Sequence, residues 1–143
     1  MKYNILIVDD EINNLQLLAR TFRNKYNVFI AESGPQALDI MKENKIDLIL
    51  SDHKMPLMDG IEFLKHTLSI HPDAIRILIT AYTDATTLIS AINDGKIYRY
   101  IKKPWEPVDL LTVVESALAT YQMSIDNQKL VDDFQELFAA TIN

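Results

Sequence analysis

Five short runs rich in Ile, Leu and Val, separated by segments with helical periodicity, most constrain how this chain can fold. The runs, and so the predicted strands, are residues 4–8, 27–31, 45–51, 74–80 and 97–101. Continuous apolar runs are typical of strands covered on both faces, since an exposed face would show alternating polar residues. The pattern therefore predicts an α/β fold in which helices cover both faces of one parallel sheet.

The intervening segments place apolar residues three and four positions apart, which is the spacing of one helix face. Helices are predicted over 11–24, from Ser33 onwards, over 61–68, over 85–93 with Asp84 as N-cap, and from Pro107 onwards. Right-handed crossovers limit the strand orders that such connections allow. We adopt the flavodoxin-like, doubly wound order 2-1-3-4-5, which makes strands one and three neighbours beside a crevice.

Polar side chains suited to chemistry stand at the ends of the strands. Asp9 and Asp10 follow the first strand, Asp52 follows the third, Thr80 ends the fourth and Lys103 comes after the fifth. The carboxyl ends of parallel strands share one edge of the sheet, where ligands bind. Carboxylates that converge there repel one another unless a cation joins them, and an all-oxygen ligand set suits Mg²⁺. The acid pair alone would be weaker evidence for a metal site, because Asp is also a common helix N-cap.

Composition excludes several other classes of protein. A chain of 143 residues forms one full core and is too short for two ordinary domains. A net charge of −6 with scattered basic residues argues against direct nucleic-acid binding, and the absence of cysteine excludes disulfides and thiolate metal sites. No apolar segment is long enough to span a bilayer, and the first run meets Asp9 too soon for a signal peptide. We expect a cytoplasmic protein that does not contact membranes.

The strand-end residues and their neighbours resemble the receiver domain of two-component response regulators. The resemblance covers roughly residues 3–121 in order. It is carried by Asp9-Asp10, Asp52 with Met55-Pro56 and Asp59-Gly60, Thr80-Ala81, and Tyr100 with Lys103-Pro104. Several separated motifs in the right order make the match specific.

The resemblance implies that Asp52 is the nucleophile, which accepts a phosphoryl group from a sensor histidine kinase or a phosphotransfer protein. It also implies that Mg²⁺ is the cofactor. Asp10, Asp52 and the backbone carbonyl of Lys54 would be its direct ligands, with Asp9 acting mainly through a metal-bound water. Such a module phosphorylates and dephosphorylates itself and is not otherwise an enzyme.

The same resemblance implies a phosphoryl cradle and a switch. Lys103 would pair with the phosphoryl oxygens, and the Thr80 hydroxyl with the backbone N–H groups of His53 and Ala81 would complete the cradle. Thr80 would then move towards the phosphoryl group, and Tyr100 would turn into the vacated space. The face made by the fourth helix, the fifth strand and the last helix is the expected surface of a homodimer.

Other side chains near these motifs indicate a subfamily and the positions that could affect the phosphoryl lifetime. Trp105, together with residues 95–100, resembles receivers attached to cyclic-di-GMP phosphodiesterase domains or to hydrogenase-type transcriptional regulators. Lys54, Tyr82 and the His53 side chain stand at variable positions that could tune the phosphoryl lifetime. The other two histidines, His66 and His71, are expected on a solvated helix end, because their spacing is not that of a metal cluster.

Two other functions use a similar sheet. Haloacid dehalogenase-type phosphatases also have an aspartyl nucleophile, but they need Asp-x-Asp after the first strand, where this chain has Asp9-Asp10-Glu11. A flavin-binding electron carrier needs a Ser-, Thr- and Gly-rich loop there, whereas an acidic loop repels phosphate. Fold alone does not decide among these functions.

The pattern weakens beyond Tyr121, so the chain is divided into a receiver domain over 1–121 and an extension over 122–143. The apolar residues of the extension are helically spaced, but their phase slips by about one residue from the preceding stripe. Three interpretations stay open: a continuing helix that binds a partner, a second short helix that packs back, or a linker to an output domain.

Overall fold

The structure, a computed structural model, describes residues 2–81, 89–90, 92–94 and 96–142, of which 141 and 142 by their backbone only. Its five strands pair in parallel in the order β2-β1-β3-β4-β5. They are β1 Asn4–Val8, β2 Asn27–Ala31, β3 Leu48–Asp52, β4 Ile75–Thr80 and β5 Arg99–Lys102. The predicted fold class and strand order are confirmed.

Helices connect the strands as predicted. They are α1 Ile12–Phe22, α2 Gly34–Glu43, α3 Gly60–Thr67 and the C-terminal helix Pro107–Ile142. Residues 89–90 and 92–94 are also helical, whereas Asp84 and much of the predicted helix 85–93 lie outside the described residues. Strands β3 and β5 begin three and two residues later than their apolar runs. At the start of β3, the Asp47 carboxylate accepts the backbone N–H of Asn4 (2.8 Å).

The core lies on both faces of the sheet, because successive residues of a buried strand point to opposite faces. Ile5 and Ile7 of β1 pack with α1 and the C-terminal helix, while Leu6 and Val8 pack with α2 and α3. The helices contribute Leu15, Leu18, Phe22, Leu110, Val114 and Leu118 to the first cluster, and Ala37, Met41, Phe63 and Leu64 to the second. This two-sided burial explains the unbroken apolar runs.

Two helix starts follow directly from local sequence signals. The Ser33 hydroxyl caps α2 by accepting the N–H of Gln36 (3.3 Å), and the Asp59 carboxylate caps α3 by accepting the N–H of Glu62 (2.8 Å). The next residue, Gly60, lies so close to β3 that a Cβ on it would stand 2.0 Å from the Asp52 carbonyl oxygen. The start of α3 is therefore set tightly against the end of β3.

The C-terminal helix runs without a break from Pro107 to Ile142. Its first part packs on the sheet, where Leu110, Val114 and Ala117 are fully buried. Residues 123–140 are all exposed, including Phe134 and Leu137. Of the interpretations left open by the sequence, the second short helix that packs back is therefore wrong. No helix in the described part of the chain combines the length and the apolarity needed to cross a bilayer.

Candidate functional site

Three carboxylates meet at the carboxyl edge of the sheet, as the strand ends predict. Asp9 and Asp10 follow β1, and Asp52 ends the neighbouring strand β3. Their side chains each offer an oxygen atom, and these atoms lie within 4.8 Å of one another. Asp9 and Asp52 are only 4% and 5% exposed, whereas Asp10 is open to solvent. The cluster is thus two buried acids with one acid at the rim.

Lys103 reaches the same cluster from β5. Its Nζ lies 2.6 Å from Oδ1 of Asp52, and its backbone N–H donates to the carbonyl oxygen of Thr80 (2.9 Å). The following Lys103–Pro104 peptide bond is cis. Burial lowers the pKa of Lys103, but the hydrogen bond to Asp52 and the charges of Asp52 and Asp9 outweigh burial and raise it. The lysine is therefore a fixed cation beside Asp52 at neutral pH.

The charged form of Asp9 is disfavoured, mainly by burial and further by the neighbouring Asp52. Burial raises its pKa, the backbone N–H of Glu11 (2.9 Å) opposes this by stabilising the carboxylate, and the charge of Asp52 raises it again. The net shift is upward. One lysine does not balance three carboxylates, so this edge of the sheet favours an additional cation.

Thr80 ends β4 beside the cluster and is 1% exposed. Its hydroxyl oxygen lies 2.9 Å from Nδ1 of His53, a residue that is itself only 4% exposed. Burial, followed by the charge of Lys54, lowers the pKa of His53 against the opposing charges of Asp59 and Asp52.

The contact between His53 and Thr80 was not predicted from the sequence. The strand register accounts for it: Asp52 pairs with Ile79, so the next residues, His53 and Thr80, lie side by side. The backbone N–H of His53, which the resemblance assigns to the phosphoryl cradle, donates here to the carbonyl oxygen of Ile79 (2.9 Å). It would have to leave the sheet ladder to bind a phosphoryl oxygen.

The other predicted residues lie around this edge or next to it. Lys54 and Ala81 are exposed in the loops after β3 and β4. Tyr100 pairs with Leu78 in the register of β5 and β4, which puts it on the same face as Thr80 and two positions away along the sheet. Its side chain is 42% exposed. Tyr82 lies outside the described residues.

The prediction for His71 was wrong. Its Nε2 lies 2.9 Å from the carbonyl oxygens of both Met41 and Asn44, and the residue is half-buried. It thereby ties the end of α2 to the loop before β4. His66 is exposed on α3, as expected. His71 differs from His66 only in its contacts with residues distant in the sequence. The sequence therefore carried no signal for the burial of His71.

The sequence profile of the response regulator receiver domain matches residues 5–115. The chain belongs to the response regulator receiver family. The matched span includes all five strands of the sheet except the first residue of β1, and it includes the residues of the acidic cluster. Receiver domains are the phosphoacceptor signalling modules of two-component systems, and the cluster at the sheet edge is consistent with that function.

Similar proteins agree with this assignment. The receiver is 34% identical over 126 residues to the hydrogenase transcriptional regulatory protein HoxA of Cupriavidus necator, covering 88% of this chain and 26% of the relative. A CheY-like response regulator receiver domain protein from Methanospirillum hungatei is 29% identical with a TM-score of 0.82, over 87% of this chain and 99% of that chain.

The signal receiver domain of an HD domain-containing protein from Pseudomonas fluorescens is 33% identical with a TM-score of 0.80, over 86% of this chain and 99% of that chain. In contrast, the chain spans only about a quarter of the length of the curated relatives it matches. The part that they share with this chain is the receiver.

Proposed function

We propose that this receiver accepts a phosphoryl group on Asp52 from a phosphohistidine of a sensor kinase or phosphotransfer protein. The observation that carries the proposal is the buried Asp52 carboxylate, held 2.6 Å from Lys103 within a cluster of acids. One carboxylate oxygen forms a bond to phosphorus while the phosphorus–nitrogen bond of the phosphohistidine breaks, leaving neutral or protonated imidazole. Water later cleaves the acyl phosphate, which returns Asp52 and inorganic phosphate.

The residues at the sheet edge fit a Mg²⁺ site. Asp9, Asp10 and Asp52 offer oxygen donors close enough to share one ion, and the backbone carbonyl of Lys54 is the further ligand that the family implies. Hard cations of this kind take oxygen ligands and keep several waters, which suits a cluster with one open side. When bound, the ion would supply positive charge to the phosphoryl oxygens.

Lys103 and Thr80 complete the proposed cradle with residues of this chain. Phosphoryl transfer depends on positioning and on neutralising charge, because its transition state is loose. The raised pKa of Lys103 keeps the ammonium charged beside Asp52, where it would pair with a phosphoryl oxygen. The Thr80 hydroxyl and the Ala81 N–H would bind further oxygens, and the His53 N–H would do so only after leaving Ile79.

The conformational output would pass through Thr80 and Tyr100. A phosphoryl group on Asp52 would draw the Thr80 hydroxyl towards it, and Tyr100, exposed in this structure, would turn inwards along the shared sheet face. Phosphorylation then shifts a pre-existing equilibrium between two conformations. We further propose that the face formed by residues 89–90 and 92–94, β5 and the C-terminal helix mediates homodimerisation after this shift.

The longer relatives suggest where such a domain works. HoxA is named as a hydrogenase transcriptional regulatory protein and ZraR as a transcriptional regulatory protein, and this chain matches a quarter of each. We propose that the receiver provides the phosphorylation input to an output activity carried elsewhere, in the cytoplasm. Residues 122–143 would be the helical connection, and direct binding of nucleic acid by this segment is not expected.

Beryllofluoride, which mimics a phosphoryl group on an aspartate, tests the proposal. With Mg²⁺ present, we expect amide resonances around Thr80 and Tyr100 to shift, and incubation with acetyl phosphate to add one phosphoryl group by mass spectrometry. Asp52→Asn should abolish both responses. Asp39→Asn, which removes an exposed carboxylate on α2, is the matched control and should leave both unchanged. Responses that survive in Asp52→Asn would overturn the assignment of the nucleophile.

A further inference from the structure

The phosphoryl chemistry described above gives no part to the imidazole of His53, which lies buried against the Thr80 hydroxyl. The backbone of His53 is held on both sides: its backbone N–H donates to the Ile79 carbonyl oxygen (2.9 Å), and its carbonyl oxygen accepts the backbone N–H of Gly60 (2.8 Å). The backbone of Thr80, the last residue of β4, is held by the Lys103 N–H, which follows β5 and donates to the Thr80 carbonyl oxygen (2.9 Å). The 2.9 Å contact between the two side chains is therefore built into the junction of β3, β4 and α3.

The chemistry of the two groups makes this contact relevant to switching. A threonine hydroxyl has one proton to donate, and Nδ1 of a neutral imidazole either accepts or donates according to the tautomer. Phosphoryl oxygens only accept, so the Thr80 hydroxyl must donate its proton to bind one. If Nδ1 accepts a hydrogen bond from Thr80 in the resting protein, the hydroxyl proton is already donated to the imidazole. If Nδ1 donates, the contact still holds the hydroxyl oxygen in its resting place.

We propose that the His53 side chain is a positioning residue that holds the Thr80 hydroxyl in the resting protein and opposes its turn towards a phosphoryl group on Asp52. This inference rests on the proposed function, and it assigns control of the switch to the imidazole. Moving the hydroxyl gives up a hydrogen bond between two buried groups, and the loss of such a bond opposes the activated conformation. The position after the nucleophile thereby sets how readily this receiver responds.

Two substitutions separate the hydrogen bond from simple packing. His53→Asn keeps a polar amide near the position of Nδ1, so it retains a partner for Thr80. His53→Leu fills much of the same space without any hydrogen bond. Both leave the backbone bonds of residue 53 to Ile79 and Gly60 in place, so a difference between them reports on the side-chain contact.

The affinity for beryllofluoride at a fixed saturating Mg²⁺ concentration measures the cost of the switch. Because one hydrogen bond is removed from the resting state only, we expect His53→Leu to bind about two- to tenfold more tightly than wild type. His53→Asn should stay within about twofold of wild type. Unchanged or weaker binding by His53→Leu would overturn the proposal, and so would equal tightening in both variants, since that would indicate packing alone.

A second measurement needs no phosphoryl mimic and no substitution of the histidine. In the resting protein, Thr80→Val should shift the ¹⁵N resonance of His53 Nδ1, whereas Thr80→Ser, which keeps the hydroxyl, should leave it near its wild-type position. An Nδ1 resonance that is the same in Thr80→Val and wild type would refute the contact. A wild-type chain that binds no beryllofluoride would instead refute the proposed function and the control inferred from it, so the two failures are distinguishable.

Discussion

At the scale of single residues, the acid cluster trades stability for function. Asp9 is buried and lies next to Asp52. Burial and the negative charge of Asp52 both destabilise the charged form of Asp9. Without Mg²⁺, we expect Asp9→Asn to raise the free energy of unfolding at pH 7 by about 1 kcal/mol, as favourable single substitutions commonly do. The same substitution should weaken Mg²⁺ binding, because it removes a carboxylate of the proposed site. Urea denaturation in a chelating buffer and a Mg²⁺ titration followed by Trp105 fluorescence measure the two effects.

The pH dependence of this gain follows from the upward shift of the Asp9 pKa. A folded-state pKa above the ordinary value of 3.8 means that the charged carboxylate destabilises the fold at neutral pH. Protonation relieves this as the pH falls through the folded-state pKa, so the advantage of Asp9→Asn should shrink towards pH 3.8. Asp10→Asn, at the exposed rim, is the control and should change stability less. A less stable Asp9→Asn would contradict the electrostatic account.

Which site residues were predictable depends on how local their signals are. Asp9, Asp10, Asp52, Thr80 and Lys103 were predicted, because each stands at a strand end and parallel strands bring those ends together. The side-chain role of His53 was not, since it depends on strand register. Nor was the burial of Arg76, whose guanidinium donates to the Pro72 carbonyl oxygen (2.9 Å), because only the folded loop supplies that acceptor.

At the scale of secondary-structure elements, Gly60 controls how α3 meets β3. A Cβ at this position would lie 2.0 Å from the Asp52 carbonyl oxygen, a backbone atom that cannot move without shifting the nucleophile. We expect Gly60→Ala to lower the free energy of unfolding by about 3 kcal/mol, at the upper end of overpacking effects, and to slow phosphorylation by acetyl phosphate.

Gly34 provides the matched control for this prediction. It also opens a helix, and neither glycine has a positive φ. A Cβ on Gly34 would meet the sulfur of Met58 at 2.9 Å, and that flexible side chain can move away. Urea denaturation should therefore show a clearly smaller loss for Gly34→Ala. Equal losses in the two variants would refute the steric explanation.

Tyr121 fastens the C-terminal helix to the amino edge of the sheet. Its hydroxyl donates to Oδ1 of Asp47 (3.1 Å), while Oδ2 of Asp47 accepts the N–H of Asn4 (2.8 Å). Since a hydrogen bond to a carboxylate is lost, we expect Tyr121→Phe to lower the free energy of unfolding by about 1–2 kcal/mol at pH 7. Tyr98→Phe, at an exposed tyrosine, should change it by less than about 0.5 kcal/mol.

Burial, and after it the charge of Asp47, raise the pKa of Tyr121 to about 12. The folded-state pKa exceeds the ordinary value of 10.0, so the contribution of the neutral phenol is complete below pH 10 and is lost as the pH rises towards about 12. The stability difference between wild type and Tyr121→Phe should follow that course. A difference that grows with pH above 10 would contradict the assigned hydrogen bond.

Element types were predictable from periodicity, whereas some element boundaries were not. The starts of α2 and α3 coincide with capping residues, Ser33 and Asp59, whose signals are local. The third strand has no such residue at its amino end, and its first ladder position depends on the neighbouring strands. The continuation of the last helix beyond Tyr121 was left open because its apolar stripe changes phase there and meets no part of the domain.

At the scale of the whole molecule, the strand order brings residues that are distant in the sequence together in one site. The order β2-β1-β3-β4-β5 places β3 between β1 and β4, so Asp52 has the acids of β1 on one side and Thr80 on the other. Lys103 follows the edge strand β5, and its side chain contacts Asp52. Residues separated by more than 90 positions meet because each crossover returns the chain to the same edge, which is why the alternation of strands and helices, together with the adopted strand order, predicted the cluster.

The contribution of the C-terminal helix to stability is expected to end near residue 122. The last contacts that join the C-terminal helix to the domain include the Tyr3 hydroxyl, which donates to Gln122 (2.8 Å), whereas residues 127–140 are all exposed.

Because exposed side chains add little to stability, a chain ending at Asp126 should keep its free energy of unfolding within about 1 kcal/mol of the full chain. A chain ending at Ala117 loses the buried Leu118 as well as Tyr121 and should be far less stable. Urea denaturation at several protein concentrations would compare the three chains, and a concentration-independent loss well above 1 kcal/mol on ending at Asp126 would show that the exposed helix belongs to the folding unit.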